Sequence, residues 1–373
     1  RHGNGSSFKL HRTMKEPTSH GGRVLCVGAA TLDTILRVPT LSSTGTKVLA
    51  TDMVQCAAGM ATSAAVAVSR VGGSASMCAV VGDDLAGQAY VADLRAENVD
   101  LFHLRIVPGA KTAVSTILVE EGTGERLVVP YYPPEPPSPE ASTGKQCLPH
   151  CLPHCLPVPC CSGKISTLLS TKSEARAEKT NLDFDLVLVD PRRPLLAAKQ
   201  LDAARAAGIT TMLDADITPS INILYSLAQR CDYIVFSLGG LASLVTQECG
   251  ALHDSTPLSA IAVALRTVRR KVPGTVSVTL GSRGFAWLEE KGDVFHLPAP
   301  TVNAVDTLAA GDVFHGVFAL SIARRQSMSD SARLACAAAA LKCRVFGGRL
   351  GAPRRLELEE FLEGWRPEIQ KVG

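Results

Sequence analysis

The sequence predicts an α/β fold: a central, mostly parallel β-sheet between helical layers, with a second, small sheet attached. Three observations support this. Short continuous apolar runs such as Val24-Leu25-Cys26-Val27-Gly28 recur, as strands buried on both faces require. Segments of helical period follow them, and repeated strand–helix units imply parallel strands with helices on both faces. Between Leu101 and Tyr131 the period changes from helical to alternating, as in a half-buried sheet.

Composition bounds the class. The chain has 373 residues, 46% hydrophobic and 20% charged, enough for one large or two modest domains. Its formal charge of +3 argues against nucleic acid or an anionic membrane surface as a partner. No window approaches the roughly 18 uninterrupted apolar residues of a membrane span. Residues 1–22 are polar and basic without an apolar core, which predicts a disordered leader and not a secretory signal. Single cysteines in apolar surroundings (Cys26, Cys56, Cys78, Cys231, Cys249, Cys336, Cys343) suit a reducing compartment. The expected location is cytoplasmic, with an organelle stroma or matrix as the alternative.

In chain order, the first strand ends at Gly28, and Asp33 lies just beyond it. Ligands of open α/β sheets bind outside the carboxyl ends of strands. Residues 35–55 predict one or two short strands around a turn at Ser42–Thr46. The small-residue run Ala57–Val68 opens a helix that closes at Gly72-Gly73, packed tightly or approached closely by a ligand. Ser76–Val81 predicts a strand and Leu85–Glu97 a helix. Thr112–Val119, a Gly122-Thr123-Gly124-Glu125 turn and Arg126–Val129 predict a hairpin. With residues 35–55 it makes a small sheet from two separated pieces (about 35–55 and 101–131). Such a sheet is placed to cover a site as a lid or to form a homodimer edge.

Residues 133–181 interrupt this rhythm with five prolines between Pro133 and Pro139, then a tandem Cys-Leu-Pro-His. The segment predicts a low-complexity insertion between the core pieces 23–132 and 182–366. Cys147, Cys151, Cys155, Cys160, Cys161, His150 and His154 are zinc-ligand types, but the spacing fits no standard finger.

After the insertion the α/β pattern returns. Strands are expected at Asp185–Asp190, Ile209–Leu213, Asp232–Phe236, Thr275–Leu280 and Val294–Leu297. Helices are expected at Leu195–Ala207, Ile223–Arg230 and Leu258–Lys271, and an Ala-dense one at Ser331–Cys343. Between the last strand and that helix lies Asp306-Thr307-Leu308-Ala309-Ala310-Gly311-Asp312-Val313-Phe314, where small residues run into an acid at a helix start. A helix N-terminus offers free N–H groups and positive dipole to an anion. An aspartate there serves as a base beside a held phosphate, or simply caps the helix.

With Asp33, the small-residue helix and the two-piece sheet, this stretch resembles the ribokinase-like (PfkB) carbohydrate kinases over about residues 22–365 apart from the insertion. Asp306–Gly316 is similar to the family's C-terminal signature. Ala58-Gly59-Met60-Ala61-Thr62-Ser63 resembles its Gly-Gly-x-x-x-Asn motif in degraded form. The Ala337–Gly348 stretch is nearest to the ketose and sulfo-sugar kinases. The resemblance implies a three-layer sandwich with a small β-sheet lid, and ATP-dependent phosphorylation of a hydroxyl, most simply a primary one, on a sugar or sugar derivative.

It also implies roles. Asp312 is the catalytic base and Ala309, Ala310 and Gly311 form the anion hole. Asp33, Gly59, Ser63 and Asp190 bind the sugar, and Thr279, Gly281 and Gly284 form the nucleotide turn. Mg²⁺ bridges the ATP phosphates, mostly through water, while Asp306 and the Leu308 carbonyl form a K⁺ site. Ser63 departs from the family's Asn, trading an amide donor and acceptor for one hydroxyl, which points to an altered sugar preference. The same fold also admits a nucleoside kinase, or a non-catalytic regulator that binds ligand.

Overall fold

The apolar run at Val24 forms β1 (Arg23–Val27), paired in parallel with β4 (Ser74–Cys78) on one side and β9 (Leu186–Val189) on the other. This is a computed structural model, and it describes residues 22–42, 45, 47–134 and 183–372. Beyond β9 the parallel sheet continues through β10 (Thr210–Ala215), β11 (Tyr233–Ser237) and β12 (Thr275–Thr279). It then turns antiparallel through β13 (Phe285–Leu288), β14 (Val294–Leu297) and β15 (Gln370–Val372). The inner strands Val24–Val27 and Leu186–Val189 are buried without interruption, which is why no alternation marks them in the sequence.

Helices cover both faces. On one lie α1 (Met60–Arg70), α7 (Ala310–Ala323), α8 (Met328–Cys343) and α9 (Arg355–Gly364), with α1 and α7 against β1. On the other lie α3 (Pro194–Ala206), α4 (Ile221–Ala228), α5 (Leu238–Cys249) and α6 (Leu258–Arg269). The Ala-rich runs of α1 and α8 are buried against α7, so their small side chains serve close helix packing. Phe285, Phe314 and Phe318 fill the space beyond them, with ring centroids 4.9–5.6 Å apart.

The second sheet has the order β3-β2-β7-β8, built from β2 (Thr31–Val38), β3 (Asp52–Ala58), β7 (Ala113–Glu120) and β8 (Arg126–Tyr131). The two chain pieces meet where β2 pairs in parallel with β7, with Asp33 opposite Ser115. Alternation places Thr31, Asp33, Ile35, Ser115 and Ile117 on the covered side. β8 is an outer strand, with Leu127, Val128, Val129 and Tyr131 exposed. A smaller pairing joins β5 (Val80–Gly82) to β6 (Arg105–Val107) beside α2 (Leu85–Ala96).

Three details differ from expectation. Asp33 lies beyond β1 but inside β2, because that strand starts at Thr31, ahead of the expected residues 35–55. The span Ser76–Val81 is two strands that part at Ala79. Helix α5 was hidden by its Leu238-Gly239-Gly240 start, which reads as a turn; Ser237 caps it, its Oγ accepting the Gly240 N–H at 3.0 Å. Of the insertion, 135–181 lie outside the described residues, and with them the zinc-ligand reading.

Candidate active site

The small sheet and the C-terminal side of the main sheet border an open cavity of about 380 Å³. Asp33, Gly59, Ser63, Leu308, Ala309 and Asp312 all lie in its wall, although up to 279 residues of sequence separate them (312 − 33). Asp33 is buried, and among the described residues its Oδ1 has no hydrogen-bond partner. Burial pushes its carboxyl above the usual range, against hydrogen bonds from Thr31 and Ser115 and the nearby Arg349 charge.

Gly59 starts α1 at φ 106°, and a Cβ there would lie 2.5 Å from the Ala29 carbonyl oxygen. Only glycine satisfies both constraints. It sets the first turn of α1, and Ser63, one turn on, stands in the same cavity wall as Asp312. The residue that departs from the family motif thus lies in the wall that holds the proposed base.

Asp312 sits in the first turn of α7. Its carboxyl is pushed up to about 7, first by desolvation, then by the charges of Asp190 and Asp216, while Ser63 and Arg126 pull it down. Ala309, the residue before α7, adopts a left-handed conformation at φ 62°, ψ 10°. The turn brings the Gly311 and Asp312 N–H groups to the helix start with no backbone acceptor among the described residues, while Ala310 N–H reaches the Thr307 carbonyl at 3.3 Å. Among the described residues, no atom beyond its chain neighbours and its own helix backbone lies within 4 Å of where a Gly311 Cβ would stand, so the approach to this N-terminus is open.

The left-handed conformation costs alanine about 1 kcal/mol. Ala309→Gly is therefore expected to raise stability by up to about 1 kcal/mol without loss of turnover. A denaturant midpoint lower than wild type would contradict it.

Asp190 is placed differently from its expected sugar-binding role. It is 1% exposed and absent from the cavity wall. Its Oδ2 accepts the Ala29 and Ala61 N–H groups at 2.7 and 3.0 Å, and its Oδ1 accepts Arg192 N–H at 2.8 Å. It ties the ends of β1 and β9 to the start of α1, just behind the cavity wall.

Thr279, Gly281 and Gly284 lie together at the end of β12, also off this wall. Gly284, at φ 99°, has no room for a Cβ beside the Leu297 carbonyl oxygen, so it shapes the turn into β13.

Residues that sequence reasoning passed over also stand here. Arg349 lies in the wall, 1% exposed, bonded to the Ala57 carbonyl, Asp93 and Glu97. Arg192 lines the cavity, paired with Asp216 at 2.6 Å. Arg126 of β8 donates to Thr307 Oγ1 at 2.7 Å, bridging the small sheet and the loop before α7. Asp214, its carboxyl held well above the usual range by burial and then by Asp312, lies 3.3 Å from His315 Nδ1. Burial pushes that imidazole down to about 4, so it is neutral at pH 7. The Asp214-Ala215-Asp216 pair at a strand end was the available signal.

The expected K⁺ site does not fit a metal ion. Asp306 accepts the Leu308, Gly347 and Gly348 N–H groups at 2.8–2.9 Å, and the ammonium of Lys342 already lies against it.

The same architecture occurs in known proteins. A structure of an Agrobacterium tumefaciens protein, provisionally called a ribokinase, is 37% identical and matches 92% of this chain and 98% of that chain, with a TM-score of 0.74. The ribokinase of Schizosaccharomyces pombe is 28% identical over 300 residues, 79% of this chain and 83% of the relative. The Arabidopsis thaliana ribokinase, solved with ribose and ATP, is 19% identical with a TM-score of 0.68 over 92% of this chain and 99% of that one, a likeness of fold. The sequence pattern of pfkB family carbohydrate kinases matches residues 22–138 and 163–355. The chain belongs to the pfkB family of carbohydrate kinases.

Proposed function

We propose that this kinase transfers the γ-phosphoryl group of ATP to a hydroxyl of a free sugar held between Asp33 and Asp312. The observation that carries it is the buried, unpartnered Asp33 Oδ1 in the same cavity wall as Asp312. A buried acceptor without a donor is costly, and a sugar hydroxyl would satisfy it. Asp312 takes the proton of the attacking hydroxyl, whose oxygen forms the new bond to phosphorus as the bond to ADP breaks. The Gly311 N–H and the start of α7 stabilise the charge spread over the transferred group, with Ala309 and Ala310 shaping the turn. Mg²⁺, bound with the nucleotide, would supply positive charge to offset that of the phosphates. The turn at Thr279, Gly281 and Gly284 is the proposed nucleotide side.

The test is ADP release over a panel of pentoses, ketoses, sulfo-sugars and nucleosides, for wild type and Asp33→Ala. Losing hydrogen bonds to a charged group should raise the KM for the preferred sugar about ten- to a hundredfold and leave that for ATP nearly unchanged. Unchanged sugar KM would remove Asp33 from the sugar site. The exposed apolar face of β8 also suits a second copy of the chain at the open lid edge. Sedimentation should then show a dimer that Val129→Lys dissociates; a wild-type monomer would rule it out.

A further inference from the structure

Lys342, in the last turn of α8, and Asp306, ahead of the anion loop, are both 0% exposed. A lysine kept from water must be paired or lose its proton. Its Nζ donates to the Asp306 main-chain carbonyl at 2.5 Å and lies 3.3 Å from Oδ2. The carboxylate in turn holds two separate pieces of backbone. Oδ1 accepts the Leu308 N–H, fixing the approach to Ala309–Gly311. Oδ2 accepts the Gly347 and Gly348 N–H groups, just before Arg349 enters the cavity wall.

The loop is further tied to α8 where the Val305 and Asp306 N–H groups share the Cys343 carbonyl, at 2.7 and 3.1 Å. One ammonium therefore neutralises the single acid that shapes both the phosphoryl-facing turn and the segment bearing Arg349. A lysine ammonium is a compact point charge, the side chain best able to take the part of a monovalent ion.

We propose that Lys342 is a built-in cation and a positioning residue for the anion loop, and that the enzyme therefore needs no monovalent metal ion. The turnover arm of its test rests on the kinase reading above; the stability arm does not. A lysine with a merely structural role would leave, on removal, a protein that no ion repairs. A lysine standing in for an ion would leave a hole that an ion of suitable size refills.

The experiment compares full-length wild type and Lys342→Ala in KCl, NH₄Cl, NaCl and choline chloride at one ionic strength. It reads ADP release and thermal midpoint. Wild type should give the same values in KCl and choline chloride. Lys342→Ala should lose about a hundredfold in kcat in choline chloride, as small misplacements of a catalytic loop do. KCl and NH₄Cl should restore much of that loss and raise the variant's midpoint more than NaCl does.

Stimulation of wild type by KCl would overturn the proposal, as would a variant equally active in choline chloride or one unrepaired by any ion. If Lys342→Ala does not fold, the wild-type comparison decides. If wild type phosphorylates no sugar, the functional reading falls, and ion-selective stabilisation of the variant still decides the role of Lys342.

Discussion

Asp312→Asn should lower sugar phosphorylation by about 10²–10⁴-fold, the usual contribution of a positioned general base. The amide is nearly the same size and keeps the helix start, but it cannot take the hydroxyl proton. The effect should appear in kcat with little change in the KM for ATP, since the loss falls on the transition state.

The carboxyl is pushed up to about 7 in the folded protein, from an ordinary value of 3.8. As a base it works deprotonated, so kcat/KM should fall as the pH drops below about 7, and that limb should vanish in the variant. Because the folded state binds this proton more tightly than the unfolded chain, ionising Asp312 costs stability as pH rises from about 4 to 7. The Asn variant should therefore melt higher than wild type at pH 8 while being nearly inactive. A variant that is both less stable and less active would point to damaged packing, not lost chemistry.

Arg349→Met should be the most destabilising single change at the site. The guanidinium is 1% exposed and bonds Asp93, Glu97 and the Ala57 carbonyl. Glu97 is shared with Arg70, whose Nη2 lies 2.6 Å away, and the Arg70 Nη1 holds the carbonyls of Leu350 and Ala352. Removing one partner of such a buried network costs about 3–5 kcal/mol, because the carboxylates keep their desolvation without their cation.

Since Arg349 also lines the cavity beside Asp33, sugar binding should weaken with it. Arg349→Lys should recover only part of the stability, because an ammonium cannot span three acceptors in the guanidinium geometry. Chemical denaturation checks both; a loss below 1 kcal/mol for the Met variant would mean the network is slack.

Much of this site was legible in the sequence. The cluster of small residues before Asp312 already stated what a helix N-terminus open to an anion requires, and Gly59 what a close backbone contact requires. The continuous apolar runs identified the parallel strands, and the alternation after Thr112 the lid.

What stayed hidden depends on partners far apart in the chain. Arg349 looks like a surface residue next to glycines until Asp93 and Glu97, more than 250 positions away, meet it. Asp190 and Asp33 are each a single acid near a strand, and composition cannot tell the one drawn inward by three backbone amides from the one left with a free oxygen. Lys342 lies in an alanine-dense helix where a charge is expected to reach solvent. Only the fold turns it onto Asp306.

The most direct test of the central claim is mass analysis of the product formed from ATP, Mg²⁺ and each sugar of the panel. A single added phosphate on one class of free sugar, with ADP formed in equal amount and both formed at least about a hundredfold more slowly with Asp312→Asn, is the predicted result. ADP released equally with and without sugar, or equal product from wild type and Asp312→Asn, would contradict it.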